Sequence, residues 1–360
     1  VAENGNLVVD LVSKAFSQGE YPARNIKQNI ADLSAQLAAN KVGEKALLAF
    51  VNEHGIAVSN KILQAILDNG ELAVRNALQN LTSGSAQLTM DCGATICVDI
   101  QINGDNALID FTGTSAQQNS NFNAPRSITD AAVIYVFRCL VENSIPLNAG
   151  CMRPLTVVVP EKSMLNPQYP AAVVAGNVEV SQAVVSSLFL ALGRQACSQT
   201  TMNNLSFGNS EYQYYETLAG GTGAGITPKG IMYPGQDAVH SHMTNSRLTD
   251  PEILEQRYPV KLRQFAIRQN SGGKGLCNGG NGLTRSIEFL QPMQINILAN
   301  SRLHAPQGLS GGGNGSVGRN YLLKAATGEK VELSFNANVA VEIGDVLAIE
   351  TPGGGGFGQP

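Results

Sequence analysis

Two of the chain's four histidines, His240 and His242, stand one residue apart in a stretch dense with groups that can do chemistry. Tyr214-Tyr215-Glu216-Thr217 lies upstream, a glycine cluster runs from Gly220 to Gly225, and Met243-Thr244-Asn245-Ser246-Arg247 follows the pair directly. On a strand, successive side chains alternate, so a His-x-His pair sends both imidazoles to one face. Glu216 would add a carboxylate to that face, and Asn245 and Arg247 would continue it. Such a set suits a metal or an anionic substrate. Glu216 or a histidine would serve as base with Asn245 beside it, and Arg247 would take a carboxylate or phosphate, which its planar fork matches. Thr244 and Tyr215 flank the same groups as substrate contacts. The alternative is a pair of exposed histidines beside a glycine-rich loop, because His-x-His without a third ligand is a weak motif.

The elements that must position these groups change character along the chain. The first 80 or so residues read as helices. NIKQNIADLSAQLAAN (25–40) carries apolar residues at 26, 30, 33, 37 and 38, which predicts one buried stripe. Segments 43–53, 57–68 and 71–80 continue the pattern, with Gly55 and Gly70 as expected stops. Segments 85–91, 95–102 and 107–113 are short, β-branched and alternating, and Asn103-Gly104 predicts a hairpin between the last two. ITDAAVIYVFRCLVE (128–142) and the apolar run after Gly176-Asn177-Val178-Glu179-Val180-Ser181-Gln182 predict two buried helices. Asn177 as a cap and Glu179 in a first turn suit a helix N-terminus, which is also where an anion binds. These two residues are the next candidates to join the site as substrate contacts.

From Gly208 onward the chain is β-like and rich in glycine, with clusters at 272–275, 279–282, 311–315 and 353–356. None is followed by Gly-Lys-Ser/Thr, so none reads as a phosphate-binding P-loop. Tight turns and close backbone approach explain such clusters better. The expected class is α+β, with a helical layer over 1–82, a mixed segment over 83–207 and a glycine-rich, β-dominated segment over 208–360.

Composition narrows the function. Net charge is −4 and the pI is about 5.6, with no Lys/Arg stripe, which argues against nucleic acid as the main partner. No apolar run reaches the ~18–20 residues of a membrane span. Six cysteines show no Cys-x-x-Cys and no zinc spacing, so buried reduced thiols and a cytoplasmic setting are expected. Only 14% of residues are charged, below the usual quarter, as expected of a surface partly covered by a partner or of one that is simply polar and uncharged.

Several strings carry a family resemblance: IDFTGTSAQ, IPLNAGC, GNVEVSQ, YYETLAGGTGA, HSHMTNSRLTDPEILE, SGGKGLCNGGNGLTR and ETPGGGGFG, with weaker agreement back to PARNIKQNIADLSAQLAAN. In that order they resemble the hydantoinase B/oxoprolinase family, the B subunits of ATP-dependent hydantoinases and the C-terminal half of 5-oxoprolinases. The resemblance implies ATP-dependent hydrolytic opening of a cyclic amide, 5-oxoproline or a hydantoin. A partner A-type unit would phosphorylate the amide oxygen with ATP and Mg²⁺, and the B unit would direct water onto the activated carbon. Related acetone and acetophenone carboxylases use the same pairing to carboxylate a ketone, which is the alternative reaction.

The family's Asn-Asp-Pro-Tyr…Gly-Gly-x-His motif, which supplies the metal site in the carboxylase relatives, is absent here, and the usual Arg-Gly-Gly reads Asn278-Gly279-Gly280. The chain is therefore expected to cover the C-terminal two-thirds of a B unit. A divalent metal (Mn, Zn or Fe) would belong to the missing N-terminal part. The implied partners are an A-type subunit, other copies or chains in an oligomer, and a small-molecule substrate. A non-catalytic assembly module is the reading from a different class. A polar pocket at Glu216, His240, His242 and Asn245 would favour catalysis, and a flat apolar surface would favour assembly.

Overall fold

The computed structural model describes residues 1–18, 22, 23, 25–142 and 145–360. Arg24, within the weaker of the family strings, lies outside them. Two compact units divide the chain, 1–68 and 69–360.

The first unit holds the short strands β1 (Ala2–Glu3) and β2 (Asn6–Leu7), then α1 (Val9–Ser17) and α2 (Ile26–His54). Asn25 caps α2 by accepting the Gln28 N–H at 3.2 Å. The helix runs through Gly43 and ends at Gly55, whose φ of 74° is a left-handed conformation that glycine tolerates. The expected stripe is only half covered. Ile26, Ile30, Leu33 and Leu37 are partly buried, Ala38 is exposed, and no residue of α2 is fully buried. Periodicity marks the apolar side of a helix without supplying its cover.

The unit boundary falls within α3 (Ile56–Leu78), which corrects the expected stop at Gly70. Gly70 sits inside the helix because a Cβ there would lie 2.7 Å from Asn148 Oδ1. Its role is close approach, and that requirement arises 78 residues along the chain.

The second unit has two cores. In the first, β3 (Gly84–Thr89), β4 (Thr95–Asn103), β5 (Asn106–Asp110) and β6 (Leu155–Val158) form one sheet in that order. Asn103 pairs with Asn106 around Gly104 (φ 62°), so the predicted hairpin is present. β5 and β6 are parallel, and the crossover between them carries α4 (Arg126–Cys139). α5 (Ser181–Ala191) buries every residue except Leu190, as expected of a helix apolar on most sides. Ile96, Ile100, Ile109, Val133, Phe137, Val184 and Leu188 fill the space between helices and sheet.

The second core lies between two antiparallel sheets. One has the order β11 (Val260–Arg268), β12 (Gly282–Phe289), β17 (Val346–Glu350), β14 (Arg319–Leu323), β15 (Lys330–Leu333). The other has the order β16 (Asn336–Val341), β13 (Met293–Leu298), β7 (Asn204–Gly208), β8 (Gln213–Thr217). Leu205, Phe207, Ile295 and Ile297 from one sheet meet Leu283, Ile287, Phe289 and Ile349 from the other. The short helix α6 (Pro251–Arg257) starts at Asp250, which accepts the Glu252 N–H at 3.0 Å.

The glycine clusters lie outside these sheets and form a bundle of extended segments. Residues 353–356 run buried through its middle. Gly353 donates to Ser316 O, Gly354 to Gly280 O, Gly355 to Cys197 O and Gly356 to Gly313 O, so successive amides point to four different neighbours. A Cβ on Gly354 would lie 1.9 Å from Thr222 O. Backbones approach this closely only where side chains are missing.

Candidate functional site

One cavity of about 420 Å³ opens on the flank of the glycine bundle. Its walls are Tyr135 and Cys139 from α4, Phe189 from α5, the segment carrying Arg194, Gln195 and Ser198, the bundle residues Thr222 and Gln236, and His240 to His242. The hairpin of β9 (Gly225–Ile226) and β10 (Met232–Tyr233) closes one side through Ile226 and Tyr233.

The histidine pair reaches this cavity without a strand. Val239 makes a single bridge to Gly220, and His242 has φ 58°, which breaks the alternation expected of His-x-His. Gln182 on α5 holds the turn by donating to Ser241 O at 3.0 Å. The His242 ring lies between Phe189 and Tyr135, with centroids at 5.5 and 5.9 Å. Its Nε2 is 2.8 Å from Ser198 Oγ and its Nδ1 is 3.3 Å from the Tyr135 hydroxyl. Ser198 Oγ already accepts the Gly223 N–H at 3.1 Å. Burial pushes the His242 pKa down to about 4, so the ring is neutral at neutral pH.

His240 is the free group of the pair. Its Nδ1 is buried with no hydrogen-bond partner among the described residues, and burial lowers its pKa. Ser241 Oγ is likewise buried and unsatisfied on the same wall. A buried polar atom without a partner costs on the order of 1–3 kcal/mol, so two in one stretch of cavity wall set it apart from an ordinary packed loop. Among the described residues Arg194 is the one lining side chain with a permanent positive charge, and it also donates to Asn80 O. This cavity can hold a small molecule against the His240 imidazole and the one cation among the described lining residues.

The other expected site residues go elsewhere. Glu216 does not line the cavity. It lies between the two sheets of the second core, where Arg285 Nε and Nη2 meet its two oxygens at 2.7 and 3.0 Å and the Tyr214 hydroxyl donates to it at 2.9 Å. Tyr215, on the opposite face of β8, donates to Asn204 Oδ1 at 2.7 Å. Thr244 is buried beside Ser246, while Asn245 and Arg247 are exposed and do not line the cavity. Asn177 is exposed and caps nothing through its side chain; a π-helical turn, Gly176–Val180, precedes α5 instead. Glu179 turns fully inward, accepting from Met202 N at 3.1 Å and Asn204 Nδ2 at 2.8 Å, and burial raises its pKa to about 8. Ser198, Tyr135 and Arg194 carry no motif, and only their packing around the histidines brings them into view.

Among the described residues no group of three or more His, Cys, Asp or Glu is arranged to hold a metal ion. The glycine amides that might cradle a phosphate are already donating within the bundle: Gly354 to Gly280 O, Gly280 to Thr222 O and Gly273 to Gly354 O, each at 2.9 Å.

An α+β scaffold with a histidine-bearing cavity on a glycine bundle thus defines the class. The hydantoinase B/oxoprolinase family model matches residues 1–360, and the chain belongs to that family. It is 44% identical over 354 residues to 5-oxoprolinase 1 of Arabidopsis thaliana, covering 93% of this chain and 28% of that protein. The chain thus spans just over a quarter of that relative's length. In fold it resembles the ATP-dependent caprolactamase of Pseudomonas jessenii, with a TM-score of 0.82 at 21% identity over 99% of this chain and 65% of that one. It also resembles acetone carboxylase, with a TM-score of 0.76 at 17% identity over 91% of this chain and 52% of that one.

Proposed function

We propose that this chain carries the amide-opening site of an ATP-dependent enzyme acting on a cyclic amide, 5-oxoproline or a hydantoin. A partner A-type unit would use ATP and Mg²⁺ to phosphorylate the amide oxygen. The observation that carries the reading is that His240, whose buried Nδ1 has no hydrogen-bond partner, lines a cavity beside Arg194, the one permanent cation among the described lining residues. The occupied glycine amides support placing the nucleotide on another chain or domain. The relatives' names supply the substrate class: 5-oxoprolinase at 44% identity favours hydrolysis over carboxylation.

Phosphorylation of the oxygen makes the amide carbon electrophilic, so water can add to it. The tetrahedral adduct has two ways to collapse. Expelling phosphate merely restores the amide, whereas expelling the ring nitrogen opens the ring and leaves an acyl phosphate. The nitrogen leaves only once protonated. His240 is suited to both steps, taking a proton from the attacking water and returning it to the nitrogen. Arg194 pairs with the phosphoryl oxygens. The Ser198–His242–Tyr135 chain stays neutral and fixes the wall beside them. A second water then cleaves the acyl phosphate to carboxylate and phosphate.

The setting that fits is cytoplasmic, since all six cysteines are free thiols, and the assembly is an oligomer containing the A-type unit. Among the described residues no helix is long and apolar enough to cross a membrane. The test is ATP-coupled conversion of 5-oxoproline to glutamate, assayed with the chain alone, the A-type unit alone and the two together with the rest of the B unit. Turnover only in the complete mixture is expected. Bicarbonate-dependent loss of a ketone without amide opening would overturn the reading in favour of a carboxylase.

A further inference from the structure

The extended segment Gln195 to Thr200 separates two cavities. Gln195 and Ser198 line the histidine cavity described above, while Cys197 and Thr200 line a second one of about 440 Å³ on the other side. The second cavity is walled by Gln87, Ser301, His304, Gln307 and Asn314 as well, and it shares no lining residue with the first.

Its chemistry centres on Asp91 and His304, neither of which has a role in amide opening. Asp91 sits in the turn after β3 with its carboxylate almost fully enclosed. Ser301, at φ 60°, turns the chain so that three consecutive amides face that carboxylate. Arg302 N donates to Oδ2 at 2.5 Å, and Leu303 N and His304 N donate to Oδ1 at 3.1 and 3.0 Å. His304 Nδ1 lies 3.3 Å from the same Oδ1. A carboxylate only accepts, so in the neutral ring the proton is on Nδ1, and Nε2 has no hydrogen-bond partner among the described residues. The side chain of His304 is 49% exposed, so the ring is held by Asp91 while remaining accessible.

The lining decides the charge of what binds. The three amides that would welcome an anion are spent on Asp91, and its negative charge stands directly behind the imidazole. Among the described residues no Lys or Arg side chain lines the cavity. A cation finds no open carboxylate, because the oxygens of Asp91 are already occupied. Cys197 offers no thiolate, since burial raises its thiol pKa to about 11. What remains is one imidazole lone pair among neutral amides and hydroxyls.

We propose that the second cavity is a binding site for a small uncharged molecule carrying an N–H donor next to a carbonyl. A carboxamide is the simplest case: its N–H meets His304 Nε2, and its carbonyl meets the hydroxyl and amide donors of Ser301 and Gln307. This site is independent of the amide-opening site and needs neither ATP nor a partner chain.

The experiment titrates the full chain, uniformly labelled with ¹⁵N, with acetamide, acetate and methylammonium at neutral pH. Acetamide is expected to shift the His304 Nε2 resonance saturably, while acetate and methylammonium leave it in place. In His304→Ala, whose truncation touches a half-exposed ring, the backbone resonances of Leu303 and Gln307 should stop responding to acetamide, and those around His240 should be unaltered. The absence of a saturable His304 shift, or an equal response to acetate, would overturn the proposal. Either result would leave the reading of the His240 cavity untouched.

Discussion

Glu216 and Arg285 meet across the interior of the two-sheet core, a bidentate pair 2% and 3% exposed that links β8 of one sheet to β12 of the other. Tyr214 donates to the same carboxylate, and the Phe265 ring lies 5.3 Å from the guanidinium carbon. Removing one partner strands the other charge in the core, at a typical cost of about 3–5 kcal/mol, whereas replacing both with apolar side chains is often close to neutral. Glu216→Gln should therefore lower the denaturation midpoint sharply, and Glu216→Leu with Arg285→Met should recover most of the loss. Urea unfolding of the three proteins checks this. A single variant as stable as the parent would contradict the pairing.

The glycine bundle predicts a position-dependent response to one methyl group. Gly354→Ala drives a Cβ into Thr222 O at 1.9 Å, backbone against backbone, and no side chain can yield. That variant is expected to lose its cooperative transition. Gly43→Ala lies inside α2 with nothing within 4 Å of the new atom and should stabilise by up to ~1 kcal/mol. Thermal melts of both, side by side, distinguish crowding from helix propensity.

What the sequence made legible follows the range of the interactions concerned. The Asn103-Gly104 turn and the all-round apolar α5 are determined by residues close in sequence, and both formed as expected. Gly70 misled because its reason is Asn148, and Glu216 misled because its partner is Arg285, 69 residues away. The two histidines line one cavity, but the face they share comes from the left-handed turn at His242 and not from strand alternation. Ser198 and Tyr135 lack any spacing signal, since the contact joining them to His242 spans 44 and 107 positions.

Two buried groups should give stability opposite pH dependences. His242 has its pKa depressed from 6.5 to about 4, so its contribution is intact above pH 6.5 and is lost as pH falls towards 4, by roughly 3 kcal/mol at most. Glu179 has its pKa raised from 4.5 to about 8, so its contribution is intact below pH 4.5 and is lost as pH rises through 8. Glu179→Gln keeps an acceptor for Met202 N and Asn204 Nδ2 while removing the titration. It should remove the loss that develops as pH rises from 4.5 to 8, and His242→Asn should remove the loss that develops as pH falls from 6.5 to 4. Identical curves for both variants and the parent would refute the assignment.

The last prediction separates the two charges offered to substrate. Arg194 lines the cavity, whereas Arg247 is exposed and does not line it. In the complete ATP-dependent assay, Arg194→Met should raise KM and lower kcat/KM, while Arg247→Met should behave as the parent. His240→Ala removes the proton carrier and should lower kcat by ~10²–10⁴-fold, the usual worth of a positioned acid–base group. Because burial lowers the His240 pKa, the acid limb of the parent's rate profile should lie below pH 6.5. Activity is full where the ring is neutral and declines as it protonates. His240→Ala should lose that limb along with the rate, a change that a merely structural residue would not produce. Retention of the limb at reduced rate would assign it to another group and remove His240 from the chemistry.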